Sequence, residues 1–244
     1  IDDYRLFHPN AVRLFEIEEQ LVQQADVVFA SSKKLLTKAS GLRSNQNVAL
    51  LSNGVDPVHW QVKNGDVPPE LQNLSGPIVG YFGSIADWLD IDLIHDVALK
   101  RRDVQFVFIG PVSRKINMGH LVQTPNIHFL GYKSYNLLPL IGRHFSVCWI
   151  PIQLNAVTQT INPVKAYEYL AMGKQVLAPR FPDLEGFAPY IICAQSKADF
   201  AVQLDELLER ADKPDIISGC KRLAAQFSWT ALWQQAKMHI GLDL

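Results

Sequence analysis

The feature that most constrains the fold is a regular alternation of short apolar runs with longer amphipathic segments after residue 76. The runs are PIVGYFG (77–83), VQFVFIG (104–110), IHFLG (127–131), FSVCWIPI (145–152), QVLAPRF (175–181) and YIICA (190–194). Nearly continuous apolar runs are typical of strands buried on both faces, and strands that alternate with helices form parallel sheets. The pattern therefore predicts an α/β fold, a Rossmann-like doubly wound parallel sheet.

The segments between these runs carry apolar residues at helical spacing. They are DIDLIHDVALKRR (90–102), SYNLLPLIGRH (134–144), PVKAYEYLAMG (163–173) and SKADFAVQLDELLER (196–210). More helix is predicted after them, up to residue 240.

Residues 1–56 repeat the same alternation in a shorter form. The predicted elements are a helix at 9–24, a strand at 26–31, a helix at 31–40 and a strand at 47–56. Ser residues can cap the second helix, and Gly41 can end it. We interpret residues 1–56 as the C-terminal part of a second Rossmann-like domain. Because the chain begins with Ile1 rather than Met, we expect an N-terminal segment to precede it.

The two alternating regions are separated by a polar stretch, residues 57–76, which contains Pro57, Pro68, Pro69 and Gly76. This composition predicts a linker. The main domain then covers residues 77–226, and residues 227–244 form a C-terminal helix that crosses back toward the N-terminal domain.

Composition excludes several classes of protein. The formal net charge is −1, which argues against nucleic acid as a partner. No run approaches the ~20 apolar residues of a membrane-spanning helix. Cys148, Cys193 and Cys220 lie far apart in the sequence, so their spacing predicts neither a zinc site nor a disulfide framework. Cysteine usage of this kind favours a reducing compartment.

A glycine-containing turn follows the first apolar run, at the end of the sheet where ligands of such folds bind. In GYFGSIADW (80–88), Gly80 and Gly83 allow close backbone approach, and Ser84 can donate to an anion. The turn matches neither the dinucleotide fingerprint nor the P-loop, which disfavours both of those sites. Taken alone, a tight turn also explains the two glycines.

The stretch NPVKAYEYLAMGKQVLAP (162–179) places charges at the start of a helix beside the same edge. Asn162 is predicted as the N-cap and Pro163 as the first helical residue. Free N–H groups at a helix N-terminus bind anions. The charge of Lys165 is unfavourable beside the positive end of the helix dipole, and a bound anion would offset that cost. Glu168 follows one turn later and can accept from sugar hydroxyls. The alternative is a surface Lys–Glu pair worth about 0.2–0.5 kcal/mol.

Motifs in several parts of the chain resemble those of the GT-B glycosyltransferases. ADVVFASS (25–32) and NVALLSNGVD (47–56) are similar to the close of the N-terminal domain of that superfamily. The motifs similar to its donor-binding half are FLGYKSYNLLPLI (129–141), SVCWIPI (146–152) and EYLAMGKQVLAP (168–179). GYFGSIADWLDIDLI (80–94) resembles the subgroup that builds bacterial cell-surface polysaccharides, the teichuronic-acid and xanthan types. The motifs are specific to the superfamily but not to one donor sugar.

The resemblance implies that residues 77–226 bind a nucleotide sugar and that residues 1–56 belong to the acceptor side. Glu168 matches the glutamate that binds the ribose hydroxyls, and Lys165 matches a lysine that holds the diphosphate. The other matched positions are Gly83 and Ser84 under the phosphates, Gly131 and Tyr132 around the base, and Asn162 and Pro163 at the helix end that faces the diphosphate.

The chain also departs from the family pattern. Many retaining members carry a second glutamate eight residues before the ribose-binding one, where this chain has Thr160. We expect Thr160 to contact the sugar instead. No catalytic residue is assigned, because a general base would come from the N-terminal domain. DID (90–92) has the spacing of a metal motif but opens a helix, so no metal site and no cofactor beyond the substrate are expected.

The expected activity is hexosyl transfer from a UDP- or GDP-linked sugar to a saccharide or lipid-linked acceptor during polysaccharide synthesis. We expect a cytoplasmic protein, and the resemblance leaves open peripheral association with the inner face of the membrane through the N-terminal domain. These 244 residues alone are expected to be inactive in transfer. The alternatives are a non-catalytic nucleotide-sugar binding module, a GT-B sugar-nucleotide epimerase and an unrelated enzyme of flavodoxin-like fold.

Overall fold

The computed structural model describes residues 12–43, 47–62 and 65–241 and contains two parallel sheets. The strands are β1 (Val28–Ala30), β2 (Val48–Leu50), β3 (Ile78–Phe82), β4 (Gln105–Ile109), β5 (Ile127–Phe129), β6 (Val147–Trp149), β7 (Val176–Pro179) and β8 (Ile191–Ala194). β1 and β2 pair with each other, and the other six form one sheet in the order β5-β4-β3-β6-β7-β8. The parallel sheet predicted from the apolar runs is confirmed.

The helices of the described residues connect these strands. They are α1 (Val12–Gln24), α2 (Lys33–Gly41), α3 (Pro57–Trp60), α4 (Ile91–Lys100), α5 (Leu138–Gly142), α6 (Val164–Ala171), α7 (Lys197–Leu208), α8 (Pro214–Gln226) and α9 (Trp229–Ile240). Side-chain oxygens start several of them: Ser32, Asp90, Ser196 and Ser228 each accept a backbone N–H from the first turn. These caps satisfy donors that a helix start otherwise leaves unpaired. Among the described residues, no helix has the length and apolar character needed to span a membrane.

The chain reverses direction across the large sheet at β3. From β3 it proceeds to β4 and β5 on one side, and it returns to β6 on the other side of β3. In doubly wound sheets, the crevice beyond the carboxyl ends of the strands at such a reversal is where ligands bind. The topology therefore predicts a ligand site at the residues that follow β3 and β6.

The core lies on both faces of this sheet, as the apolar runs predict. In β4, Phe106 and Phe108 join one buried cluster, and Val107 and Ile109 join the other. This alternation follows from the two-residue period of a strand. Strands buried on both faces hold their carboxyl ends in fixed positions, so the loops that follow them start from a rigid edge.

The polar segment between the two sheets is partly buried, which its composition did not predict. The short helix α3 begins where the Asp56 carboxylate accepts from the Val58 N–H at 2.9 Å. Trp60 in this helix is only 2% exposed, and its ring stacks on Phe82 with centroids 5.0 Å apart. Burial of this large aromatic ring stabilises the packing of the polar segment against the end of β3.

Helix α9 lies against the N-terminal part of the chain. The Val55 N–H donates to the Phe227 carbonyl at 2.9 Å, and the Trp229 N–H donates to the Val55 carbonyl at 3.2 Å. A side chain at Gly54 would overlap the ring of Trp229. The residues after 226 are therefore joined by backbone hydrogen bonds to the segment that leads out of β2.

We expect Trp60→Ala to lower the free energy of unfolding by about 3–5 kcal/mol, the range for loss of a large buried aromatic side chain. Val58→Ala in the same helix is the matched control, because Val58 is 85% exposed. It should change stability by less than about 0.5 kcal/mol. Urea titration of both variants measures this difference, and equal effects would show that Trp60 does not fasten the segment.

Candidate functional site

Glycines follow three neighbouring strands and form a floor of bare backbone at the carboxyl edge. Gly83, Gly110 and Gly131 follow β3, β4 and β5, and all have positive φ angles of +137°, +149° and +67°. The Gly83 N–H donates to the Ile109 carbonyl at 2.8 Å, and the Gly110 N–H donates to the Gly131 carbonyl at 2.9 Å. A side chain at Gly110 would overlap the Gly83 carbonyl. The Gly110 turn therefore packs against the Gly83 turn only because Gly110 carries no side chain.

The Lys165 side chain lies against Gly83. A Cβ atom added to Gly83 would overlap the Cε atom of Lys165 and would stand 2.8 Å from its Nζ. The Nζ also lies 5.7 Å from the centroid of the Tyr81 ring. Burial lowers the pKa of Lys165, and the nearby charge of Glu168 acts in the opposite direction. The site thus holds a desolvated cation against backbone, an arrangement suited to an anion.

Glu168 is held by a tyrosine rather than by Lys165. The Tyr135 hydroxyl donates to Oε1 of Glu168 at 3.3 Å. Burial raises the pKa of Glu168, while Lys165 and the Tyr135 hydrogen bond both favour the charged form. None of the ion pairs between described residues joins Lys165 to Glu168. The alternative interpretation, a direct ion pair between Lys165 and Glu168, therefore does not hold for these two described residues. Both charges remain available to a ligand.

The predicted N-cap at Asn162 is wrong. Pro163 occupies the cap position of α6 and makes no side-chain cap hydrogen bond. The Asn162 Oδ1 instead accepts from the Asn53 N–H at 3.3 Å, and the Asn162 carbonyl accepts from Asn53 Nδ2 at 2.6 Å. Asn162 Nδ2 donates to the Tyr167 hydroxyl at 3.0 Å. These partners draw the amide away from the first turn, so α6 begins without a side-chain cap.

The remaining predicted site residues differ in accessibility. Ser84, Gly131 and Tyr132 are exposed at the same carboxyl edge, and no atom would obstruct a side chain at Gly131 within 4 Å. Thr160 is only 4% exposed, and its hydroxyl donates to the Val157 carbonyl at 2.7 Å. Gly80 makes room for the Phe145 ring and thus serves the core. Ser84, Gly131 and Tyr132 are therefore accessible, whereas Gly110 is buried and the Thr160 hydroxyl is already bonded within its own turn.

Sequence reasoning missed two residues of the site, Gly110 and Tyr135. Gly110 was detectable, because it ends the second apolar run as Gly83 ends the first. Tyr135 carried no such signal, since its contact with Glu168 joins residues 33 positions apart.

Among the described residues, no group of three or more His, Cys, Asp or Glu side chains is placed to hold a metal ion. Asp90 of the DID motif caps α4, as expected, and also accepts from Lys197 Nζ at 2.7 Å.

Comparison with solved structures identifies the class of fold. HepE from Anabaena, in complex with UDP and glucose, matches all of this chain and 70% of its own length, with 14% identity and a TM-score of 0.70. Sucrose-phosphate synthase from Thermosynechococcus elongatus matches 93% of this chain and 61% of its own, with 18% identity and a TM-score of 0.70. The chain therefore has the GT-B fold of glycosyltransferases, as the sequence predicted.

No family model matches the chain, but a curated protein is similar to it in sequence. TuaH of Bacillus subtilis (strain 168), named as a teichuronic acid biosynthesis glycosyltransferase, is 23% identical over 236 residues. The match covers 93% of this chain, and the chain spans 59% of the length of TuaH. The resemblance to glycosyltransferases of the teichuronic-acid type is thus confirmed.

We expect Gly83→Ala to lower the free energy of unfolding by about 1–3 kcal/mol, because a side chain at this φ is strained and overlaps Lys165. The control is Gly41→Ala, since Gly41 ends α2 with open space around it. That change should leave stability equal or raise it by up to about 1 kcal/mol. Chemical denaturation measures both, and a neutral Gly83→Ala would show that the floor tolerates side chains.

Proposed function

We propose that this chain binds a nucleotide diphosphate sugar and forms the donor half of a glycosyltransferase. The observation that carries the proposal is that Lys165 lies against the Gly83 turn at the topological reversal of the sheet, close enough to Glu168 for the two charges to interact. A cation against bare backbone, with a carboxylate nearby on the same helix, matches the diphosphate and the ribose of one ligand. The similarity to HepE, whose structure holds UDP and glucose, and to TuaH, named as a glycosyltransferase, supports this assignment.

In this proposal the diphosphate lies between Lys165 and the start of α6. The uncapped first turn of α6 offers N–H groups and the positive end of the helix dipole. Gly83 lets the phosphates approach the backbone, and Ser84 at the rim can donate a further hydrogen bond. Positive groups placed where charge grows on the departing diphosphate stabilise the transition state of sugar transfer.

The rest of the nucleotide extends along the glycine floor. Glu168 accepts hydrogen bonds from the ribose hydroxyls, and the base lies over the exposed backbone of Gly131 and Tyr132. We propose UDP as the nucleotide, on the strength of the HepE match, and a saccharide or lipid-linked acceptor. Thr160 is left out of the sugar contacts, because its hydroxyl is buried and bonded.

We expect Lys165→Gln to weaken UDP binding by about 1.5–3 kcal/mol, the range for hydrogen bonds to charged groups, or roughly 10- to 150-fold in Kd. Uridine should bind wild type and variant equally, because it lacks the phosphates. Calorimetric titration with both ligands separates phosphate contacts from general damage to the site.

Stability is the second measurement for Lys165→Gln. Burial places the pKa of Lys165 below that of an unfolded lysine, so the charged form opposes folding at neutral pH. The variant should therefore unfold at an equal or higher denaturant concentration at pH 7. Wild-type stability should rise as pH increases through the lowered pKa toward that of a free lysine, and the variant should lack this rise. Normal UDP binding by a destabilised variant would assign Lys165 a structural role instead.

We expect this 244-residue chain to bind UDP but not to transfer sugar. Transfer requires both substrates to be held in line and shielded from water, and the chain spans 59% of TuaH. Incubation with UDP-glucose, with and without a saccharide acceptor, tests this expectation. Glycoside formation would show that these residues suffice for transfer, and conversion of the sugar without acceptor would favour an epimerase.

A further inference from the structure

Tyr135 is fixed in place although its side chain lies at the surface. It is 51% exposed, and it follows β5 in a short 3-10 turn, Tyr135–Leu137. Its ring stacks on the His59 ring with centroids 4.3 Å apart and planes within 4°. The edge of Trp60 meets the same ring at 5.4 Å and 87°. An exposed tyrosine held by two aromatic neighbours is restricted in the direction in which its hydroxyl can point.

These neighbours belong to a distant part of the chain. His59 and Trp60 lie in α3, on the segment that joins the two sheets, and Asp56 caps that helix. Trp60 is in turn stacked on Phe82, the residue before Gly83. The aromatic contacts therefore run from the connecting segment both to the glycine turn and to Tyr135.

The Tyr135 hydroxyl makes a direct contact with the ligand-binding carboxylate of the proposed function. It donates to Oε1 of Glu168, which has no direct ion pair with Lys165 among the described residues. An ionised carboxylate has about four acceptor positions, so Glu168 can accept from Tyr135 and still receive two ribose hydroxyls. A partly buried carboxylate that is held by one donor loses less conformational freedom when the ligand arrives.

We infer that Tyr135 is a positioning residue, which holds Glu168 in the orientation that receives the ribose hydroxyls and is itself held by the His59 ring. The inference rests on the proposed function and assigns a role in it to the connecting segment. Ribose recognition then depends on α3, although no residue of α3 is placed in the nucleotide site. Movement of the connecting segment would therefore change the affinity for the nucleotide.

The test compares UDP with 2′,3′-dideoxy-UDP, which lacks the hydroxyls that Glu168 would bind. Calorimetry gives the ratio of their dissociation constants for the wild type and for each variant. Tyr135→Phe keeps the stacked ring and removes the hydroxyl, so it should lower UDP affinity about 2- to 10-fold, the range for one hydrogen bond. Affinity for the dideoxy nucleotide should stay the same. Glu168→Ala removes the carboxylate itself, so this variant should bind the two nucleotides with equal affinity.

His59 provides the second arm of the test. His59→Ala removes the stacking partner of Tyr135 and should reduce the preference for UDP over 2′,3′-dideoxy-UDP. His59→Phe again provides a flat ring and should keep that preference. The double variant His59→Ala/Tyr135→Phe should show no greater loss than Tyr135→Phe alone, because both changes act through one hydroxyl. Tyr190→Phe is the matched control: Tyr190 precedes β8 at the opposite edge of the sheet, so the preference should not change.

The possible results separate the inference from the proposed function. A wild-type chain that binds no UDP overturns both. Wild-type preference for UDP that survives Tyr135→Phe and His59→Ala overturns the inference alone. Tyr135→Phe that binds UDP more tightly would show that the hydroxyl competes with ribose, and equal losses for both nucleotides would reduce Tyr135 to a structural role. Each of these two results also overturns the inference.

Discussion

The close approach of the Lys165 side chain to the Gly83 backbone is the contact on which the rest of the site depends. It requires a residue without Cβ at the end of β3, and the neighbouring turn at Gly110 needs the same for the carbonyl of Gly83. Parallel strands buried on both faces hold these turns side by side. The sheet thus holds the glycine turns in fixed positions, and the Lys165 cation lies against the backbone of Gly83.

The electrostatics around Lys165 and Glu168 oppose stability. Burial shifts the pKa values of Lys165 and Glu168 toward their neutral forms, and the two charges do not neutralise each other by direct contact. A helix start that carries a lysine and lacks a side-chain cap adds to the unfavourable terms. Native proteins break such local rules mainly at functional sites, where a ligand supplies the missing partner. A nucleotide diphosphate would supply an anion for Lys165 and hydroxyl donors for Glu168.

The connecting segment shows how a region of polar composition can matter to the site. Its composition predicts a linker, yet Trp60 packs on Phe82 and His59 stacks on Tyr135. The Asn53–Asn162 hydrogen bonds form a second link, from the end of β2 to the start of α6. Both links join the N-terminal part of the chain to groups that face the proposed ligand. The geometry of the proposed nucleotide site is therefore tied to the segment between the two sheets.

The sequence by itself determined the parallel sheet, its helices and the positions of Gly83, Lys165 and Glu168, because those depend on local periodicity and on motifs of adjacent residues. It misplaced Asn162, since capping propensity is local and weak, and a partner 109 positions away outweighed it. It could not find Tyr135 or the burial of Trp60. Those depend on which surfaces meet once the chain has folded, and no local pattern encodes contacts between segments so far apart. Only the tertiary structure decided them, because packing and hydrogen bonds between distant residues set the final orientation of each side chain.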